Sequence, residues 1–578
     1  MSEQFFLPRR FLELGRRNPT MPMVLEIGED TVKPVQAAAA RVEVLSAATA
    51  LLERGAHPGD RVLLLLPTSS EHAFIDLAVL CVGAVSVPVY ETDSVEQIAW
   101  ILTDASPVGA VCHPSMRERL DAALRQVADQ TTQTGQVTPI STEFWVAAAG
   151  ELLAADASRA AEVEERADAI RATDVACIVY TSGTTGRSKG CVLTHGGLVA
   201  AVDSATGALP ALFAHGERTL LFLPLAHVFA RVVNYGCLTA GVPVGYSDPS
   251  RLAVDILVLR PTWLVSVPRV LEKVFASASA KSTGVKAKVF SAAVRIARSV
   301  AERSEAGRGA GLLALPHKLF DHLVYAKVRA ALGGDLRVVI SGGAPLDGSL
   351  DRFFSGAGIM VLEGYGLTES SAAHTVNLPG QKRAGSVGRP LPGAEVRIVD
   401  GEIQLRGPNL FAGYWRNNEA TAVVVRDGWF LTGDLGELLP GGFLRITGRK
   451  KDIIVTSGGK NVQPAGLEEI VQRHPAVAQC VVVGDRRPFV AALIAVSQEW
   501  LTANPGASAA EIDAALQSAV DVANESVSRA ESIRSWRRLP GELSVDAGEL
   551  TATLKVRRPV VTAHYTDLLE DIYRPGNT

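Results

Sequence analysis

Between residues 36 and 112 the chain repeats one order of apolar and polar positions. Val42, Leu45 and Leu52 recur at helical spacing and stop at Gly55, a Pro58-Gly59-Asp60 turn follows, and the apolar run 61–66 reads as a buried strand. The same order then returns. Ser69 and Ser70 can cap a helix running to Val82, Gly83 ends it, and 85–89 is the next strand. Ser94-Val95-Glu96-Gln97 forms a capping box for a third helix, and 108–111 is a third strand. Helices alternating with strands imply right-handed crossovers and a parallel sheet covered on both faces.

The pattern changes farther along. Residues 146–172, rich in Ala, Glu and Arg, predict a solvated helix leading into a strand at 177–180. The strand 336–340 runs straight into Ser341-Gly342-Gly343, at the kind of carboxyl end where open α/β sheets gather ligands. From 385 to 447 Gly-rich turns separate short alternating strands, with Pro440-Gly441-Gly442 as a hairpin connection into 443–447. Gly448-Arg449-Lys450-Lys451-Asp452 then separates two apolar strands, 443–447 and 453–456, as a linker does. Strands at 481–484 and 490–496 mix with helices in the remainder. The expected architecture is α/β: a large N-terminal domain over 1–447 with layered sheets and a β-rich subdomain, a hinge at 448–452, and a small α+β domain over 453–578.

Composition narrows the function classes. A chain of 578 residues, 47% hydrophobic and 20% charged, is ordinary for a folded protein and unlike a disordered or fibrous one. A net charge of −4 and a pI near 6.3 supply no basic face for nucleic acid, so none is expected as a partner. Six cysteines are scattered without a Cys-x-x-Cys pair, which argues against a disulfide framework or thiolate zinc site and fits a reducing cytoplasm. Met1-Ser2-Glu3-Gln4-Phe5 does not open a secretory signal, and the longest apolar run, 77–90, contains Gly83 and Pro88 and falls short of the roughly 20 residues of a span. Mean hydropathy is +0.18, which abundant Ala and Val explain and which leaves room for peripheral membrane contact.

The sharpest chemical motif is Tyr180-Thr181-Ser182-Gly183-Thr184-Thr185-Gly186-Arg187-Ser188-Lys189-Gly190. Small residues let backbone N–H groups approach an anion, hydroxyls add donors, and Arg187 and Lys189 add charge, so the segment is built for phosphates. A kinase-type P-loop would end in Gly-Lys-Ser/Thr, whereas Lys189 lies between Ser188 and Gly190. The continuation Cys191-Val192-Leu193 reads as a strand, so the loop joins two strands.

This motif resembles the phosphate-binding signature of the adenylate-forming superfamily, which includes acyl-CoA synthetases, luciferases and the adenylation domains of peptide synthetases. Ser188 stands where the commonest form has Pro. Five further segments follow in the superfamily's order: Leu223-Pro224-Leu225-Ala226-His227, Gly364-Tyr365-Gly366-Leu367-Thr368-Glu369, Gly401-Glu402-Ile403 with Arg406-Gly407, Trp429-Phe430-Leu431-Thr432-Gly433-Asp434, and Gly448-Arg449-Lys450-Lys451-Asp452. The resemblance covers nearly the whole chain. It implies that Thr181, Ser182, Gly183, Thr184, Thr185, Gly186 and Lys189 hold phosphates, that Glu369 binds Mg²⁺ while Thr368 reaches phosphate, and that Tyr365, bracketed by Gly364 and Gly366, stacks on adenine. Gly342, Gly343 and Ala344 resemble the segment that borders adenine and the acyl pocket; from the residues alone they could be a close-packed strand end. Asp434, in a tight Thr-Gly-Asp turn, by the same resemblance accepts from both ribose hydroxyls with help from Arg449; on local sequence alone a turn cap is the alternative.

His227 precedes Val228-Phe229 and could be a core histidine, whereas the resemblance places it beside the carboxylate being activated, orienting rather than titrating. Lys555, near the carboxyl end, matches the second-domain lysine that reaches over the α-phosphate, and Lys451 matches the hinge residue. The loop carrying Gly458, Gly459 and Lys460 resembles the one that lines the pantetheine tunnel after domain rotation. Segments at 261–274 and 327–334 resemble the long-chain fatty acyl-CoA synthetase branch. Between them the basic stretch 281–308 places Phe290, Val294 and Ala297 on one helical face, which reads either as a contact with anionic membrane or as a helix packed on its own domain. The implied activity is an ATP- and Mg²⁺-dependent ligation of a long-chain fatty acid to coenzyme A. A fatty acyl-AMP ligase serving an acyl carrier protein and a degenerate nucleotide- or lipid-binding homologue are the alternatives.

Overall fold

In a computed structural model that describes residues 6–134, 143–181, 187–280, 284–551 and 555–574, the repeated units form a seven-stranded sheet. Its order is Gly413–Tyr414, Lys189–Thr194, Val175–Thr181, Val85–Pro88, Arg61–Leu65, Gly109–Cys112, Trp145–Ala147. The last five run parallel, whereas Lys189–Thr194 and Gly413–Tyr414 add antiparallel at one edge. The anticipated caps form: Ser69 Oγ accepts from His72 N at 3.2 Å, and Ser94 and Gln97 close both bonds of their box at 3.3 and 2.8 Å. The Ala/Glu/Arg stretch differs from its expectation. Trp145–Ala147 is an edge strand, and two short helices, Ala149–Leu153 and Ala160–Asp168, follow it with Leu152, Val163 and Ala167 buried. Alanines that look solvated in sequence pack here because they let helices approach closely.

A second sheet of nine strands lies against the first. Five of its connections, from Pro22–Ile27 through Val244–Tyr246, Thr219–Leu221, Trp263–Ser266 and Val338–Ser341 to Met360–Leu367, are parallel, and antiparallel strands close both edges. Helices between the sheets are apolar all round, as burial on both sides requires; in Ser70–Cys81 every residue from His72 onward is buried. One charged network interrupts this core. Arg231 and Tyr235, on the helix Val228–Ala240, bond the Asp76 carboxylate, which also accepts from Ser86 Oγ at 2.6 Å. All four are buried, so the pair fixes the register of a helix whose N-cap is His227.

The β-rich section is a five-stranded sheet of Glu395–Val399, Glu402–Arg406, Trp429–Leu439, Val425–Arg426 and Phe443–Arg449. Phe443–Arg449 runs two residues beyond its expected end, and only Lys450–Asp452 forms a short 3-10 turn before Ile454–Val455. Beyond it, Val477–Val483, Val490–Val496 and Ile533–Arg538 form a separate sheet with its own apolar clusters. This C-terminal module meets the N-terminal body through Arg473, 2.6 Å from Asp347, and Arg269, which donates to Ala478 O at 3.0 Å. The helix Val285–Glu305 turns Phe290, Val294 and Ala297 into the core against Gly348–Gly356, so that face is a packing face and not a membrane contact. The six cysteines are buried and unpaired. No helix among the described residues is long and apolar enough to cross a membrane.

Candidate functional site

The phosphate-type loop does join two antiparallel strands. Thr181 and Lys189 are cross-strand partners at its base, where Thr181 Oγ1 donates to Lys189 O at 3.4 Å; Ser182, Gly183, Thr184, Thr185 and Gly186 lie outside the described residues. The segment 411–415 stitches this base to Glu369. Phe411 N donates to Glu369 O at 2.8 Å, Trp415 N to Gly190 O at 2.7 Å, and Tyr414 OH to Glu369 Oε1 at 2.8 Å, while Lys189 Nζ lies 4.9 Å from the Tyr414 ring centroid. Glu369 is buried and Thr368 half-buried beside it. Among the described residues no cluster of three metal-ligating side chains exists. A lone carboxylate suits Mg²⁺, which keeps waters and takes most of its protein-side anchoring from one or two carboxylates plus substrate phosphates.

The Gly-Tyr-Gly segment sits inside the strand Met360–Leu367. Gly364 and Gly366 therefore serve close approach: a Cβ on Gly366 would lie 1.7 Å from Ala372 O. Tyr365 OH donates to Asp434 Oδ2 at 2.7 Å, and Arg449 Nε donates to Asp434 Oδ1 at 2.7 Å. Asp434 is 5% exposed and lies in the continuous strand Trp429–Leu439, paired in register with Arg449, so the expected tight turn is instead a strand kinked at Gly433, φ +71°. Glu402, outside the expected set, accepts from Gly433 N at 2.9 Å and lies 3.6 Å from Lys450 Nζ, tying the kink to the linker.

Lys555 arrives from the C-terminal module. Its Cε lies 3.8 Å from where a Gly343 side chain would begin, and Gly343, at φ +83°, follows the strand Val338–Ser341 with Gly342 packed on Phe229 and Ala344 exposed. Lys555 is exposed along its length, but crowding by the surrounding protein around its ammonium, with Arg449 next and Asp434 opposing, pulls it below its ordinary pKa. His227 feels the same cation: loss of solvent first, then Lys555, brings its pKa down to about 3. Its Nδ1 accepts from Phe229 N at 3.2 Å, so the proton of the neutral ring sits on Nε2, a donor.

This grouping of Thr181 and Lys189, the carboxylate-held Tyr365 and a lysine from the C-terminal module agrees with two family models. The model described as AMP-binding enzyme matches residues 36–415, and that described as AMP-binding enzyme C-terminal domain matches 451–576. The chain belongs to the AMP-binding enzymes. It is 43% identical over 561 residues to the long-chain-fatty-acid–CoA ligase FadD15 of Mycobacterium tuberculosis, covering 93% of this chain and 92% of that one. Long chain acyl-CoA synthetase 7, peroxisomal, of Arabidopsis thaliana is 30% identical, covering 90% and 79%. The adenylation domain of a carboxylate reductase from Mycobacterium chelonae shares the fold, with TM-score 0.75 at 22% identity, covering 99% of this chain and 92% of that one.

In this AMP-binding enzyme the loop bearing Gly458, Gly459 and Lys460 does not join the others. Lys460 Nζ lies 3.3 Å from Glu531, and Ser457 N donates to Arg487 O at 2.9 Å, both partners belonging to the C-terminal module. Lys451 is exposed on the 3-10 turn. Tyr414 and Glu402 are the site residues that sequence reading missed. The Gly413-Tyr414-Trp415 triplet was the available signal for the first, an aromatic pair following glycine where a backbone crosses another strand.

Proposed function

We propose that this enzyme activates a long-chain fatty acid as its acyl-adenylate and transfers the acyl group to coenzyme A. The observation that carries the reading is Lys555 delivered beside Gly343, His227 and Asp434, supported by 43% identity to a ligase over 93% of the chain. A fatty carboxylate oxygen attacks the α-phosphorus of ATP; the bond to the bridging oxygen breaks and pyrophosphate leaves with the electron pair. His227 Nε2–H orients the carboxylate, which is already ionised near pH 7. Lys555 offsets charge developing at the α-phosphate. Asp434 receives the ribose hydroxyls, with Tyr365 and Arg449 fixing its oxygens, and Tyr365 lies against adenine with Gly342 and Ala344 at the border. Thr181, the loop to Gly186, Lys189 and Thr368 hold the remaining phosphates. Glu369 would hold Mg²⁺, which when bound neutralises phosphate charge.

The second half-reaction needs the C-terminal module, 453–578, to rotate on the linker 448–452 against the body 1–447 at Lys451. Gly458, Gly459 and Lys460 then line the path of the pantetheine arm, the thiolate attacks the acyl carbon, and AMP leaves. Peripheral contact with a membrane supplies the long-chain acid. The test is a product assay with ATP, Mg²⁺, CoA and fatty acids of graded length. AMP and acyl-CoA formed together, with optimum above about a dozen carbons, are expected. Formation of acyl-AMP without acyl-CoA, and its capture by a carrier protein, would replace CoA as acceptor; absence of any AMP would refute the ligase.

A further inference from the structure

The segment after the helix Val285–Glu305 exposes what that helix hides. A 3-10 turn at Gly311–Leu313 leads into one rod made of Ala314–Phe320, a π turn at Asp321–Tyr325, and Ala326–Ala331. Its inner side is pinned. Tyr325 OH donates to Ala293 O at 2.7 Å, His317 Nε2 lies 2.7 Å from Gly356 O, Arg329 binds Asp321 and Ala357 O, each at 2.7 Å, and Val324 and Val328 are buried. The outer side carries Leu312, Leu315, Leu319 and Leu323, which are 99%, 84%, 58% and 46% exposed. Intervals of three and four residues put these leucines in one stripe.

We propose that this stripe is a docking surface for an anionic lipid bilayer. Water-soluble helices turn such a stripe inward, and this rod already has a different buried face, so the leucines are surplus to its own packing. The charges around them select the occupant. Lys318 and Lys327 are exposed, and helical spacing sets them on opposite flanks of the stripe, with His322 beside Leu323. Neither lysine has a carboxylate partner among the described residues, and the rod's single acid, Asp321, is engaged by Arg329. Apolar centre, cationic margins and no outward acid match a helix lying in the headgroup boundary of anionic lipid. A protein partner would pair the lysines with its own acids but would leave no reason for a margin free of hydrogen-bonding amides and hydroxyls. The docking face gives the membrane contact proposed for this ligase a location, and because it is read by vesicle partition it stands or falls separately from ligase chemistry.

The experiment is flotation of the full-length protein with vesicles of phosphatidylcholine alone and of phosphatidylcholine with phosphatidylglycerol, at low and high salt. Partition at least tenfold stronger into the anionic vesicles, weakening with salt, is expected. Leu315→Ser with Leu319→Ser should lower it at least tenfold while melting temperature stays within a degree or two. Lys318→Glu with Lys327→Glu should lower partition into anionic vesicles alone. Leu312→Trp, which alters a side chain with no packing role, should blue-shift in emission on adding anionic vesicles. A native protein that floats with neither vesicle, a serine variant that floats like the native chain, or a tryptophan that does not shift each overturn the proposal. A native dimer that the serine variant converts to monomer, without vesicle binding, assigns the stripe to self-association instead.

Discussion

Asp434, proposed to bind the ribose, also serves the ligand-free fold. Because it is buried and holds both Tyr365 and Arg449, Asp434→Ala should lower ATP affinity at least tenfold and also lower stability by about 2 kcal/mol, the scale of a lost charge-assisted bond. Calorimetric binding and thermal melting check the two effects independently. 2′-Deoxy-ATP should cost the native enzyme more than the variant, and equal use of both nucleotides by the native enzyme would rule out the ribose role. Two histidines away from the site contribute to the loss of stability in acid. Burial, with Arg231 second, brings His72 to a pKa of about 4, and burial brings His195 to about 4 against Asp174. Unfolding restores values near 6.5, so the unfolded chain binds more protons between pH 6.5 and 4. Stability from this source is full above pH 6.5 and is lost as pH falls to 4, on the order of 3 kcal/mol for each ring. Urea midpoints compared at pH 7 and 4.5, in the native chain and in His72→Gln, test it: the variant should show a shallower loss. Residue types at the site were legible in sequence because each brings chemistry that few others supply. Tyr414 was not, since nothing in local spacing links it to Glu369, 45 positions away, and only the crossing of two sheets makes them neighbours.

Among the elements, the strand Met360–Leu367 carries the site on a backbone with no room beside it. Gly366→Ala puts a methyl into Ala372 O, so the hairpin with Ala372–Val376 must open, costing on the order of 3 kcal/mol and displacing Thr368 and Glu369. Gly458→Ala meets only Thr456 Oγ1, at an ordinary contact distance of 4.0 Å, and should change stability by less than about 0.5 kcal/mol. Melting temperatures of the two variants, with AMP formation, separate them; a Gly366→Ala enzyme as stable as native would mean the strand is free to shift. The contrast shows where sequence reading reaches. The units from 36 to 112 were legible because caps, Gly or Pro turns and apolar runs agree at every boundary. The close approach at Gly364 and Gly366 was not legible, because nothing in their spacing shows which neighbouring carbonyl passes beside them. Trp145–Ala147 is three residues long and owes its strand conformation to Gly109–Cys112, against which it lies, a partner that no window around residue 146 contains.

For the whole molecule, the orientation seen here presents Lys555 and withholds Gly458, Gly459 and Lys460. Lys555→Ala should therefore slow acyl-AMP formation by about a hundredfold or more while thioester formation from supplied acyl-AMP persists. Quenched-flow assays of each half-reaction measure this, and equal losses in both would make the lysine structural. Arg449, which holds the Asp434 carboxylate proposed to bind the ribose, is the residue immediately before the Lys450–Asp452 turn. Under the proposed rotation at that turn the grip on AMP changes with it, which makes the proposed joint part of the proposed nucleotide site. Reciprocity follows: whatever factor CoA imposes on AMP affinity by favouring one orientation, AMP must impose on CoA. Titrating AMP at saturating CoA and CoA at saturating AMP should return one coupling constant, so that the joint acts as a valve in which arrival of the acceptor and departure of the nucleotide are two readings of a single equilibrium.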